Sequence, residues 1–135
     1  MTDRLFAVEI AERMATQGIK YHYGGNDPHP GIDCSGFIRF IFRIVGMIPY
    51  GIDTTAQGFH RLYRLKTVAM PYTGCLLFYG DSLDHITHVM MAIDEHICVG
   101  AGSKYLPLDG VQKTPIDYRS DLLAVVDPFM ENWPV

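Results

Sequence analysis

Asp33-Cys34-Ser35-Gly36 is the stretch with the clearest capacity for chemistry. It stands where a loop carrying glycine and proline, Asn26 to Gly31, gives way to the apolar run Phe37 to Val45. Asp33 is of a type favoured at N-caps, so the pattern predicts a helix from about Ser35 to Val45 with Cys34 at its mouth. The first N–H groups of a helix lack intrahelical acceptors, and the positive end of the macrodipole lies among them. A thiolate at Cys34 is therefore expected to be favoured over a thiol, which would make the sulfur a nucleophile at neutral pH. The competing reading is a small buried hydrophobe; Cys75 and Cys98, set within apolar strand-like runs, fit that description better.

A sulfur nucleophile works best beside an imidazole that takes its proton and hands one to the leaving group. Six histidines are present: His22, His29, His60, His85, His88 and His96. His88 is the best placed, because it is expected to open the strand His88 to Ile93 after a loop from Gly80 to Thr87 and so face the N-terminus of the cysteine helix. Asp84, His85 and His88 also form a conceivable ligand set, but side chains three apart across a loop-to-strand junction point in opposite directions. Neither a metal nor any other cofactor is expected. An odd number of cysteines, with no CxxC pair, argues against a disulfide scaffold.

These groups need elements to hold them. Residues Asp3 to Gln17 read as an amphipathic helix with Ala7, Ile10, Ala11 and Met14 on one face and Gly18 as its left-handed C-terminal residue. The cysteine helix is apolar on nearly every side, relieved mainly by Arg39 and Arg43, as in a helix buried at the centre of a small domain. Gly46 and Pro49 end it, and Asp53-Thr54-Thr55 cap a shorter helix through about Tyr63. The rhythm then shortens to strands at Cys75 to Tyr79, His88 to Ile93, His96 to Ala101 and Leu122 to Val126, the middle two joined at Asp94-Glu95. Helices first and sheet second predict an α+β fold, the central helix laid on an antiparallel sheet.

With 135 residues the chain is expected to form a single domain over residues 1–135. Its net charge of −4 and lack of a basic cluster argue against nucleic acid as a partner. No apolar run approaches a membrane span, and the N-terminus shows no secretory signal, so synthesis in the cytoplasm is expected, and any action outside would need a virion or another non-classical route.

Tyr21-His22-Tyr23-Gly24-Gly25, Asp33-Cys34-Ser35-Gly36-Phe37, Gly74-Cys75-Leu76-Leu77-Phe78-Tyr79 and Thr87-His88-Val89 resemble, in order and spacing, the successive signatures of the NlpC/P60 family of cysteine peptidases. The resemblance runs from about Ile10 to Gly102. It implies a papain-like fold and hydrolysis of amide bonds in the stem peptides of bacterial peptidoglycan, commonly after D-γ-glutamate. By the same resemblance Cys34 is the nucleophile, His88 the base, Tyr21 the hydroxyl beside the sulfur, and Asp33 and Ser35 the flanking pair that meets substrate. The Gly24-Gly25 loop and the segment from Lys104 to Gly110 would border the groove.

Two positions depart from the family pattern. Cys75 stands where an Asp is usual, and Gly100 stands twelve residues after His88, where a polar residue normally orients the imidazole. A backbone carbonyl, a water, His96 or Ser103 could replace it. A chain that keeps the fold as a structural or wall-binding protein with impaired catalysis is therefore the second reading. A virion-carried or lysis enzyme, a toxin delivered into a rival cell, and a muropeptide-recycling enzyme are all settings compatible with the resemblance.

Overall fold

The computed structural model describes residues 3–29, 31–48, 55–102 and 106–131. Helix α1, Asp3–Met14, buries Ala7, Val8, Ala11 and Met14, and ends three residues sooner than its periodicity suggests. The chain leaves it through a turn and Gly18 at φ +69°, the conformation expected of that glycine. Two short antiparallel strands, β1 (Asn26–Asp27) and β2 (Gly31–Ile32), then precede α2, Cys34–Ile44. Phe37, Ile38, Ile41 and Phe42 are wholly buried, so α2 is the central helix its composition predicts. Thr55 caps α3, Ala56–Tyr63, by accepting from the Gly58 N–H; Pro49, Asp53 and Thr54 lie outside the described residues.

Five antiparallel strands follow: β3 (Leu76–Ser82), β4 (His85–Ala92), β5 (Ile97–Gly102), β6 (Gly110–Pro115) and β7 (Leu122–Val126), in spatial order β6-β5-β4-β3-β7. β6 is absent from the sequence reading, because Gly-Val-Gln-Lys-Thr-Pro has neither an apolar run nor clean alternation. β4 also begins three residues before His88, and Leu83-Asp84 alone joins β3 to β4 where a loop to Thr87 was expected. His88 is thus the fourth residue of its strand rather than the first.

Both faces of the sheet are covered. Leu76, Phe78, Val89, Met91, Val99, Ala101 and Val126 pack with α1, α2 and α3. Leu77, Tyr79, Met90, Ala92, Cys98 and Val125 face the other way, closed over by Ile116, Tyr118 and Val68. Strands buried on two sides read as continuous apolar runs, which is why these were legible. The outermost strands carry passing chain: the Val111 N–H of β6 donates to Ile19 O at 3.0 Å, and the Val68 N–H donates to Val125 O of β7 at 3.0 Å.

The segments before and after this sandwich are clamped together. Asp127 is 2% exposed and accepts from both terminal nitrogens of Arg4, each at 2.9 Å, from the Tyr72 hydroxyl at 2.6 Å and from the Phe129 N–H at 3.0 Å. The Arg4 guanidinium also lies over the rings of Tyr72 and Phe129.

Candidate active site

Cys34 is the first residue of α2, and Asp33 is its N-cap. Asp33 Oδ1 accepts from the Gly36 N–H at 2.7 Å and from the Ser35 hydroxyl at 3.3 Å, while Oδ2 accepts from the Gly24 N–H at 2.9 Å. One carboxylate therefore caps the helix and fastens the Gly24-Gly25 loop to it. The Asp33 N–H in turn donates to Gly25 O at 2.9 Å, and that carbonyl occupies the place a Cβ on Gly36 would need. The glycine of Asp-Cys-Ser-Gly is thus required by the loop resting on it.

The sulfur opens on a groove of about 300 Å³ lined by Tyr21, Tyr23, Gly24, Gly25, Asp33, Cys34, Ser35, Gly36, Arg39, Thr55, Ala56, Ile86 and Thr87. Tyr21, Asp33 and Ser35 are all in this wall with Cys34, as the resemblance implies, and so is the glycine pair. Leu106 to Gly110 do not line it, and Ser103 and Lys104 lie outside the described residues. Arg39 is a lining residue that sequence reasoning missed. It is only 3% exposed, and its place in an otherwise apolar helix was a signal that it serves more than solubility.

Burial pushes the Cys34 thiol up to about 11, opposed by the backbone N–H groups of Val89, Ser35 and Cys34 itself, with the Asp33 carboxylate adding to the rise. The expectation of a favoured thiolate is corrected by this: helix-terminal donors are present, but desolvation of a side chain only 9% exposed outweighs them. Tyr21 is also raised, to about 12, first by burial and then by its neighbours Cys34 and Asp33.

His88 is the only buried histidine among the described residues, 8% exposed. It is opposite Tyr79 in the β3–β4 register, and its ring packs on Tyr79 and Tyr118 at centroid distances of 5.7 and 6.3 Å. Alternation places this ring with the sheet face turned away from the main body of α2, not on the face expected. The next residue, Val89, faces the other way, and its N–H is among the backbone groups that lower the Cys34 thiol. The β4–β5 ladder ends at Met91↔Val99, so at this level β4 pairs with β3 alone. Burial lowers His88 to about 4, helped by the Arg119 charge and opposed by Asp121. At neutral pH the resting site therefore holds a thiol and an uncharged imidazole.

No side chain of β5 orients that imidazole. Gly100 pairs with Gln112, and a Cβ there would point at Met90. The strand residue that stands against the ring is Gly102, whose Cβ position lies 3.6 Å from His88 Cε1. Nε2 of His88 is buried without a hydrogen-bond partner. His96 is far from this end, exposed in the β4–β5 turn where its N–H donates to Asp94. His85 is exposed and paired with Asp81 at 2.9 Å on the β3–β4 hairpin, so the histidines of the conceivable ligand set are not brought together.

The NlpC/P60 family model matches residues 18–119. Over 82 residues the chain is 30% identical to the bifunctional muramidase/DL-endopeptidase CwlT of Bacillus subtilis, an alignment covering 59% of this chain but 24% of that protein. The chain thus spans about a quarter of that curated relative. Among solved structures, the NlpC/p60 domain of the peptidoglycan hydrolase SagA superposes with a TM-score of 0.68 at 24% identity, over 93% of this chain and 99% of that one. An NlpC/P60 family protein from Bacillus cereus gives 0.76 at 18% identity, over 94% and 40%. These neighbours share the papain-like α+β architecture of helices packed on an antiparallel sheet. Four sequence blocks in register, the cysteine at the mouth of α2, the histidine on β4 and a family match across most of the length lead to one conclusion: the chain belongs to the NlpC/P60 family.

Proposed function

We propose that this chain is a cysteine endopeptidase that hydrolyses amide bonds in peptidoglycan stem peptides, at the bond after D-γ-glutamate. The observation that carries the reading is Cys34 at the N-terminus of α2, at the opening of a groove walled by Tyr21, Asp33 and Ser35. CwlT being a DL-endopeptidase and SagA a peptidoglycan hydrolase supports it.

In this mechanism Cys34 attacks the substrate carbonyl carbon while its proton passes to His88, since the resting pair is neutral. Backbone donors at the start of α2, including the Cys34 N–H, and the Tyr21 hydroxyl stabilise the developing oxyanion. His88 then protonates the departing amine, and water releases the acyl group from sulfur. Asp33 serves chiefly to hold the wall of the groove, because its carboxylate is already engaged with Gly24, Ser35 and Gly36.

Cys34→Ala is expected to abolish release of new amino groups from purified peptidoglycan, with mass spectrometry of the wild-type digest identifying the bond. Cleavage retained in that variant would refute the assignment. The second reading, a catalytically impaired structural or wall-binding protein, is favoured by the glycines at 100 and 102 and by the solitary Nε2. Wild-type protein that binds wall material without releasing amines would select it. A virion-associated or lysis setting, with no metal and no cofactor, completes the proposal.

A further inference from the structure

Two polar atoms in the same aromatic cluster are buried without a hydrogen-bond partner: Nε2 of His88 and the hydroxyl of Tyr118. Their rings are in edge contact. Leaving either atom unsatisfied in the interior is costly, so a cluster that strands both on neighbouring rings asks what joins them. The strand that would ordinarily supply a partner offers only Gly102 against the imidazole.

We propose that Tyr118 is the positioning residue of His88, its hydroxyl oxygen accepting the Nε2–H when the site is assembled on substrate. Tyr118 belongs to the 3-10 turn Ile116–Tyr118 that closes over this face of the sheet, not to β5. The task of orienting the imidazole has thus moved from the neighbouring strand to the turn that caps it. Fixing the proton on Nε2 leaves the lone pair on Nδ1, which is the tautomer a base towards the Cys34 thiol requires. Catalytic hydrogen bonds that are open in an empty site commonly close in the complex.

Every group facing the ring fits this role. Tyr79 of β3 donates its own hydroxyl to Ile116 O at 2.9 Å, which seats the turn. Arg119 lies over the Tyr79 ring and donates through Nε to Asp121 at 2.8 Å, so its charge is partly neutralised beside the imidazole. Burial raises the Tyr118 hydroxyl well above its ordinary range, opposed by Arg119 through its charge and as a nearby donor outside bonding geometry, so it remains a neutral phenol across the working pH range.

The inference rests on the proposed peptidase reading for its kinetic arm but not for its spectroscopic one. Tyr118→Phe keeps the ring packing and deletes one oxygen. In the full chain saturated with a peptidoglycan stem peptide, nitrogen NMR of the His88 imidazole is expected to show the Nε2–H tautomer dominant in the wild type and a mixed population in Y118F. On peptidoglycan fragments, kcat is expected to fall about 10-fold or more with KM within about 2-fold. Unchanged imidazole nitrogen shifts in a folded Y118F would overturn the proposal. Failure of the wild type to cleave would sink the peptidase reading, and the tautomer measurement would still decide the role of Tyr118.

Discussion

At the scale of single residues, desolvation sets the state of the site. Sequence alone placed Cys34 at a helix N-terminus and read the donors there correctly; it could not weigh them against burial, which depends on what the rest of the chain lays over the sulfur. The same term governs His88. Its value is lowered to about 4 from the ordinary 6.5, so between those pH values the unfolded chain takes up a proton that the folded one refuses. The sign follows: His88 costs nothing above about pH 6.5, and stability is lost as pH falls towards 4, by up to about 3 kcal/mol. Denaturant unfolding of the wild type and of His88→Gln across pH 4–7 tests this. The wild type should lose stability steeply over that window and the variant much less; equal slopes would show that His88 is not the group responsible.

At the scale of elements, the helix that presents the nucleophile and the loop that borders it behave as one unit. Gly36→Ala would set a methyl group where Gly25 O now sits, so loop and helix must part. Overpacking of this kind costs about 1–3 kcal/mol. The expected outcome is a lowered Tm together with a raised KM, because the displaced loop is a wall of the groove; an unchanged Tm and KM would mean that the contact is dispensable. Elements with strong patterns were legible: α2 from an apolar run relieved mainly by Arg39 and Arg43, β3 and β4 from burial on both faces. β6 was not, since Lys113 and Gln112 interrupt it and its pairing with β5 is a long-range choice. The orienting position was also misjudged by counting. Twelve residues after His88 falls on Gly100, but the length of the β4–β5 turn brings Gly102 to the ring instead, and only the register reveals that. Tyr118 was invisible because it approaches from a turn with no motif.

For the whole molecule, the link between the start and the end of the described chain is ionic. Asp127 sits among Arg4, Tyr72 and the Phe129 N–H with its side chain 3% exposed. Removing its charge leaves the guanidinium beside two aromatic rings without its counter-ion. Asp127→Asn should therefore destabilise by about 3 kcal/mol in denaturant unfolding. Since Arg4 and Asp127 touch none of the groove residues, the cleavage rate per folded molecule should stay at the wild-type level; a fall in that rate would show that the clamp reaches the site.

The chain that passes along the two outermost strands has a further consequence. Ile19 on one flank and Lys66 to Val68 on the other take up main-chain groups that β6 and β7 would otherwise display. A sheet with both borders occupied offers a poor template for edge-to-edge pairing with a second copy. A protein so finished resists aggregation by strand addition.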